Sequence, residues 1–275
     1  MSGRPGGASA EAWLLAPALA VFAAFWLLPM ARLVAVGWSG PQGLGAYAAV
    51  ITNANYFRSL VSTVLLSLGV TAVTLAISVV AGLFLTRNEF PGKRLLVAML
   101  TFPLAFPGVV VGFMVIMLAG RQGLIGNVSE WLFDERLVFA YSMVGLFVGY
   151  LYFSIPRVIL TVMAAAEKLD PALEEAARSL GAKPWRVVRD VIIPGLKPAL
   201  ISAGAICFAT SMGAFGTAFT LATRINVLPI TIYTEFTNYA NFSVAAALSI
   251  VLGVITWAAL ALARSFAGSS VAAAA

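Results

Sequence analysis

Charged residues of both signs concentrate in one segment, residues 167–198, of a chain in which only 10% of residues are charged. The acidic members of the segment are Glu167, Asp170, Glu174, Glu175 and Asp190. Seven basic residues accompany them when Arg157, just before the segment, is included. Such charges can set the register of a contact with another protein. A connecting segment of this length predicts a fold of its own or a binding partner.

Two short helices are predicted within the segment. Asp170 followed by Pro171 is a typical helix start, because Asp caps free N–H groups and Pro suits the first helical position. An apolar face then recurs at helical spacing, at Leu173, Ala176, Ala177 and Leu180. Gly181 favours the left-handed turn that ends a helix. A second helix is predicted from Pro184 and is expected to stop at Pro194.

One ion pair is predicted on the first of these helices. Glu174 and Arg178 stand four residues apart, which places them one turn apart on the same side of a helix. The pair is predicted to lie away from the apolar face.

Most catalytic chemistry is excluded by composition. Histidine is absent, and Cys207, the one cysteine, lies in an apolar stretch where a buried, inert thiol is expected. Ser–His and Cys–His pairs cannot form, and a metal site of His or Cys ligands is unsupported. Residues 92–94, the nearest approach to a phosphate-binding loop, lack its glycine spacing and its Ser or Thr. We therefore expect neither enzyme activity nor a cofactor or metal in this chain.

A longer pattern runs through both predicted helices: Glu175-Ala176-Ala177, then Gly181 after three residues, then Val191-Ile192-Ile193-Pro194 after nine. This pattern resembles the EAA loop of binding-protein-dependent ABC importer permeases of the type I fold, which reads E-A-A, three residues, G, nine residues, I-x-L-P. Val191 replaces Ile and Ile193 replaces Leu, and such apolar exchanges should preserve packing.

The resemblance implies a function and a set of partners. In that family the short helix docks into a cleft of a separate ATPase, and the candidate coupling residues here are Glu175, Ala176, Ala177, Gly181 and Pro194. The expected partners are a cytoplasmic ABC ATPase dimer that binds the ATP, a second permease subunit and an extracytoplasmic solute-binding protein. The alternative is that residues 167–198 only fold onto their own helix bundle.

Candidate residues for a translocation path lie further along the chain. Thr210, Ser211 and Thr217 make one apolar run unusually small and polar, although small residues also serve helix packing. Glu235 lies among aromatic residues and could meet a cationic substrate, or it could be a solvated loop charge. Residues 228–233 and 245–249 look like the corresponding region of spermidine/putrescine permeases, with relatives for ferric iron and aminoethylphosphonate. A polyamine is therefore the first expected substrate.

The elements that position these residues are predicted to be membrane helices. Hydrophobic residues make up 61% of the 275, and the mean hydropathy of +0.97 is that of a protein in lipid. Six apolar runs are predicted to span the membrane, at residues 13–36, 57–85, 95–119, 137–166, 199–222 and 242–266. The fold class is thus an all-α integral membrane protein, with residues 1–275 as a single permease domain. The first run, preceded by Arg4, could instead be a cleaved signal peptide, but it is long for one.

Lys and Arg set the expected orientation. Twelve of the 17 fall on the side that holds both termini and residues 167–198, and five fall on the other side. The positive-inside rule then predicts cytoplasmic termini in a bacterial inner membrane. The same rule accounts for the net charge of +6, so we expect no nucleic-acid partner.

Two further features bear on assembly and on energy supply. Gly108 with Gly112, and Gly145 with Gly149, predict close helix approach, either at a subunit interface or, the favoured reading, inside one bundle.

An ion-coupled carrier working alone is the alternative function. Such carriers keep ionisable residues within the membrane, and the centres of the predicted spans are expected to contain none.

Overall fold

The computed structural model describes residues 7–40, 43–221 and 225–267, with side chains from residue 15 to residue 266 within those ranges. Arg4, Arg224, the connector residues 41–42 and the tail 268–275 lie outside the described residues. The α-helices are, in chain order, α1 (Gly7–Phe22), α2 (Leu28–Trp38), α3 (Gly45–Thr52), α4 (Ala54–Arg87), α5 (Lys93–Thr101), α6 (Gly108–Ala119), α7 (Leu124–Phe133), α8 (Met143–Ala166), α9 (Pro171–Ser179), α10 (Pro184–Val187), α11 (Ile193–Met212), α12 (Gly216–Leu221), α13 (Leu228–Thr237) and α14 (Phe242–Ala267).

Six helical stretches of the described chain are long and apolar enough to cross a membrane, which confirms the predicted fold class. They are Leu15–Trp38, Ala54–Arg87, Gly108–Phe133, Met143–Ala166, Pro184–Met212 and Phe242–Phe266. Large apolar side chains cover much of their surface, including Phe25 at 80% and Val80 at 71% exposure. Such a surface is stable in hydrocarbon and not in water.

The third span differs from its prediction. Residues 95–119 were expected to form one helix, but α5 ends at Thr101 and the chain passes through a short 3-10 turn before α6 begins at Gly108. Pro103 and Pro107 explain the break, since each removes an N–H donor and restricts the residue before it. The span therefore starts at Gly108 and reaches Phe133 through α6 and α7.

The fifth span also differs, because Pro194 does not end a helix. Helix α10 passes into a π-helical turn, Val188–Ile192, and then directly into α11. In that turn Ile193 N–H donates to Val188 O, and the wider turn accommodates the next residue, which has no N–H. The same arrangement, a π-turn at Ala23–Leu27 followed by Pro29, keeps the first span continuous.

The described residues fall into two compact units. The first comprises those within 1–57 and 232–251, and the second comprises those within 58–231 and 252–275. In the first unit the Tyr47 hydroxyl donates to Val34 O over 3.2 Å. In the second unit the core includes Tyr150, Leu146 and Leu196, each at most 1% exposed.

One glycine from each small-residue pair, Gly112 and Gly149, permits a close helix contact inside the second unit. A Cβ added at Gly112 would lie 2.6 Å from Thr220 Cβ, and one added at Gly149 would lie 2.9 Å from Thr217 Cγ2. Since real Cβ atoms do not approach so closely, only glycine fits at both positions. The favoured reading, packing within one bundle, accounts for these glycines.

Candidate functional site

Helix α9 is held in place at both of its ends. Asp170 Oδ1 accepts from Ala172 N over 2.9 Å, the predicted N-cap, and Pro171 occupies the first turn. At the other end Gly181 has φ +80°, the predicted left-handed conformation. Two backbone hydrogen bonds complete this ending, Gly181 N to Arg178 O at 2.9 Å and Ala182 N to Ala177 O at 3.0 Å. They form the Schellman arrangement that satisfies the last carbonyls of a helix.

A buried carboxylate ties α9 to the second membrane span. Glu174 is 6% exposed and forms an ion pair with Arg87, the last residue of α4. The predicted pair of Glu174 with Arg178 is also present, but at 3.7 Å it is longer, and the Arg178 side chain is 67% exposed. Arg87 is therefore the main partner, a long-range contact that the sequence pattern does not predict.

The junction of α9 with the fifth span is close-packed as well. A Cβ on Gly195 would meet Leu169 Cδ2 at 2.7 Å, so the side chain just before α9 rests against the backbone of α11. Pro194, a predicted coupling residue, lies in the continuous helix and is exposed. These contacts connect α9 to both α4 and α11, so a force on α9 reaches two membrane spans.

The predicted apolar face of α9 is largely uncovered. Leu173 is 58% exposed and Leu180 is 89% exposed, while Ala176 is exposed and Ala177 half-buried. Trp185, at the start of α10, is 71% exposed. Glu175 is exposed too, in contrast to its neighbour Glu174. This apolar face has a charged residue at its margin, and its helix is held to two membrane spans. An exposed face of that composition is typical of a protein-docking surface.

Two of the predicted path residues line a cavity within the second unit. The cavity measures about 280 Å³, and Thr210 and Thr217 contribute to its wall together with Phe106, Gly108, Phe153 and Arg157. Thr217 Oγ1 donates to Gly108 O over 2.9 Å, and the Tyr150 hydroxyl donates to Ala214 O over 2.6 Å. These bonds join α6, α8 and α12 around the break that follows α11. Ser211, the third predicted residue of that run, is fully buried and does not line the cavity.

Arg157 corrects an expectation from the sequence. It had been counted among the basic residues of the cytoplasmic side, and the centres of the spans were expected to hold no ionisable group. The structure places it inside α8, nine residues before the helix ends at Ala166. The signal was present, because Arg157 interrupts the apolar run 137–166.

Glu235 does not contribute to that cavity wall. It lies in the first unit and is 7% exposed, so it is not a solvated loop charge. Its carboxylate accepts from the Tyr56 hydroxyl at 2.8 Å and from Asn241 Nδ2 at 3.1 Å. Both carboxylate oxygens thus have a donor from within the same unit.

Comparison with known proteins identifies the family. The family of binding-protein-dependent transport system inner membrane components matches residues 75–268. The chain belongs to this family. It is a permease subunit of an ABC importer, located as a multi-pass protein in the inner membrane.

Similar permeases are named for three different solutes. The molybdenum transport system permease protein ModB of Escherichia coli (strain K12) is 36% identical over 197 residues, covering 68% of this chain and 85% of ModB. The sulfate transport system permease protein CysW of Synechocystis is 29% identical over 246 residues, covering 87% and 88%. A putative 2-aminoethylphosphonate transport system permease protein, PhnU of Salmonella typhi, is 30% identical over 245 residues, covering 87% and 85%.

Solved structures of ABC transporters share the permease fold. A bacterial transporter involved in the import of the acidic polysaccharide alginate superposes with a TM-score of 0.75 at 18% identity, covering 94% of this chain and 96% of that one. An inward-facing form of the methionine transporter MetNI gives 0.55 at 20% identity, covering 78% and 99%. At such identities the likeness concerns the fold alone.

Proposed function

We propose that this permease subunit forms half of a solute path and is driven by a cytoplasmic ABC ATPase dimer that docks on α9. The observation that carries the proposal is the asymmetry of α9. The Arg87–Glu174 ion pair fixes the helix to α4, while Leu173, Ala176 and Leu180 of its apolar face remain exposed. A helix built this way can transmit the movement of a bound partner to the membrane spans.

The exposed residues define the chemistry of the partner. Ala176, which is exposed, and Ala177, which is half-buried, have small side chains that allow a partner backbone to approach closely. Leu173 and Leu180 offer apolar area, and Glu175 offers a charge at the margin that can fix register. The partner surface is therefore expected to be a cleft with an apolar floor and a basic edge. The second permease subunit and the extracytoplasmic binding protein complete the proposed assembly.

The docking step is tested by Ala176→Asp, at a residue of the apolar face whose side chain is exposed. This change places a carboxylate in an interface that small apolar residues fill, at a cost of about 3 kcal/mol or more when the charge is left unpaired. Copurification of the ATPase with the permease from detergent should then fall at least about 100-fold. Ala172→Asp is the matched control, because it makes the same chemical change on an exposed residue of the same helix outside the apolar face. Equal copurification of both variants would refute docking through this face.

For the substrate we propose a small oxyanion of the sulfate, molybdate or phosphonate class. The support is the names of the similar permeases ModB, CysW and PhnU, because the solutes in those names are transported as tetrahedral anions. These names give no support to a polyamine, and aminoethylphosphonate was the alternative that the sequence suggested. Glu235 gives no support to a cationic substrate, because both of its carboxylate oxygens already accept hydrogen bonds, from Tyr56 and from Asn241.

Uptake by the assembled transporter decides between these substrate classes. Proteoliposomes that hold both permease subunits, the ATPase and the binding protein should accumulate labelled sulfate, molybdate or aminoethylphosphonate when ATP is supplied on the ATPase side. Labelled putrescine and ferric iron serve as the competing solutes. ATP-dependent uptake of putrescine without uptake of any of the oxyanions would overturn the proposed class and restore the polyamine.

A further inference from the structure

Arg157 is an unusual residue for its position. At 1.5 Å per residue it lies about 13 Å from the cytoplasmic end proposed for α8, further than an Arg side chain easily reaches. A charged side chain deep in a span disfavours insertion by roughly 2.5–3.5 kcal/mol. Such residues usually face a water-filled space and belong to a solute pathway.

The surroundings of Arg157 match that expectation. Its side chain is exposed and lines the cavity of about 280 Å³ with Phe153, one turn earlier on α8, and with Thr210 and Thr217. None of the residues lining that cavity is acidic. Among the side chains that the structure describes, no carboxylate lies within salt-bridge distance of its guanidinium. The positive charge therefore faces the cavity uncompensated.

The other polar groups of the wall are already engaged as donors. Thr210 Oγ1 donates to Ile206 O over 2.9 Å, and Thr217 Oγ1 donates to Gly108 O over 2.9 Å. Their remaining lone pairs accept hydrogen bonds, so they suit water better than they suit an anion. The guanidinium is then the strong, charged donor of this wall, with five N–H groups in a planar fork that matches an oxyanion.

We infer that Arg157 is a transient contact for an oxyanion that crosses the membrane through this cavity, an inference that rests on the proposed function. The volume suits this role, because about 280 Å³ is many times the space that one water requires, enough for an anion that keeps part of its hydration shell. A single charged contact holds such an ion weakly. Weak binding is what passage requires, since the ion must leave as readily as it enters. A polyamine would be repelled at the same point.

Uptake measurements test the contact directly. In proteoliposomes of the complete transporter, Arg157→Gln should lower the initial rate of molybdate or sulfate uptake by about tenfold or more, the effect of losing one charge-assisted contact. Arg157→Lys keeps the charge without the fork and should retain an intermediate rate. Native uptake rates in Arg157→Gln would overturn the inference while leaving the proposed function intact. Failure of the unaltered transporter to take up any oxyanion would instead reject the proposed substrate class, and this inference with it.

A second measurement needs neither assembly nor ATP. Phe153→Cys places a thiol on the cavity wall, and in a Cys207→Ser background an anionic thiol reagent should label it faster than a cationic reagent of the same size. Replacing Arg157 by Gln should abolish that preference, and added molybdate should slow labelling only when Arg157 is present. Labelling that ignores molybdate, together with phospholipid lost from the purified Arg157→Gln protein, would identify a lipid phosphate as the partner and contradict the inference.

Discussion

The ion pair between Arg87 and Glu174 should hold α9 against the second membrane span. Arg87→Ala removes the main partner of a carboxylate that is only 6% exposed. Glu174 is then left with Arg178, which is 3.7 Å away and mostly in solvent. The change should therefore loosen α9 while the membrane spans stay folded.

The expected size follows from the burial of the two partners. Removing one partner of a fully buried ion pair costs about 3–5 kcal/mol, because the other charge is left unpaired. The Arg87 side chain is 32% exposed, so solvent screens part of the interaction, and we expect about 2 kcal/mol here. At 1.4 kcal/mol per factor of ten, local opening of α9 should become about 30-fold more frequent.

Hydrogen exchange measured by mass spectrometry on the detergent-solubilised chain reports that opening. Amides of residues 172–179 should exchange about 30-fold faster in Arg87→Ala, and amides in the centre of α4 should be unchanged. Arg178→Ala is the matched control, because it removes the longer and more exposed pair and should change exchange by no more than about fivefold.

A double variant checks the cause of the effect. Arg87→Ala combined with Glu174→Ala removes the unpaired charge as well, so it should be less damaging than Arg87→Ala alone. The reasoning is refuted if Arg87→Ala leaves the exchange of α9 unchanged, or if Arg178→Ala accelerates it equally.

Two other predictions concern orientation and the end of α9. In Ser179→Cys, the new thiol should resist an impermeant thiol reagent added to intact cells. In Asn53→Cys, whose thiol lies in the connector expected on the outer side, the reagent should react. Labelling of Ser179→Cys would reverse the proposed topology. Gly181→Ala should strain the backbone at the end of α9 by about 1–2 kcal/mol, because φ there is +80°. The strain is of the backbone alone, since no atom lies within 4 Å of an added Cβ. The variant should therefore weaken ATP-driven transport without loss of the protein from the membrane. Gly181→Asn, which tolerates that conformation, should be milder, and an equally impaired Asn variant would argue against backbone strain.

Local rules predicted the ends of α9 from the sequence. Asp170 and Pro171 start the helix and Gly181 ends it because capping and left-handed conformation depend on residues within one turn. The Arg87 partner was missed because 87 residues separate it from Glu174, and no periodicity connects them. The identity of a long-range partner depends on how the spans pack.

Prolines limited the prediction of the spans. Pro103 and Pro107 broke the run 95–119, whereas Pro194, predicted as a stop, lies in a continuous helix. The difference depends on whether a π-turn precedes the proline and absorbs the missing hydrogen bond, which the sequence does not reveal. The prediction that no ionisable residue lies near the centre of a span was wrong for a different reason. Arg157 falls within the apolar run 137–166, so the sequence itself already indicated a charged residue inside that span.

The central claim is that this permease moves solute only with energy from a separate ATPase. The direct measurement is solute uptake by proteoliposomes that contain the permease subunits with or without the ATPase, in the presence of ATP or of an imposed proton or sodium gradient. The account predicts uptake only when both the ATPase and ATP are present, and no ATP hydrolysis by this chain alone. Accumulation driven by an ion gradient in vesicles that contain only this chain would contradict it and establish an ion-coupled carrier.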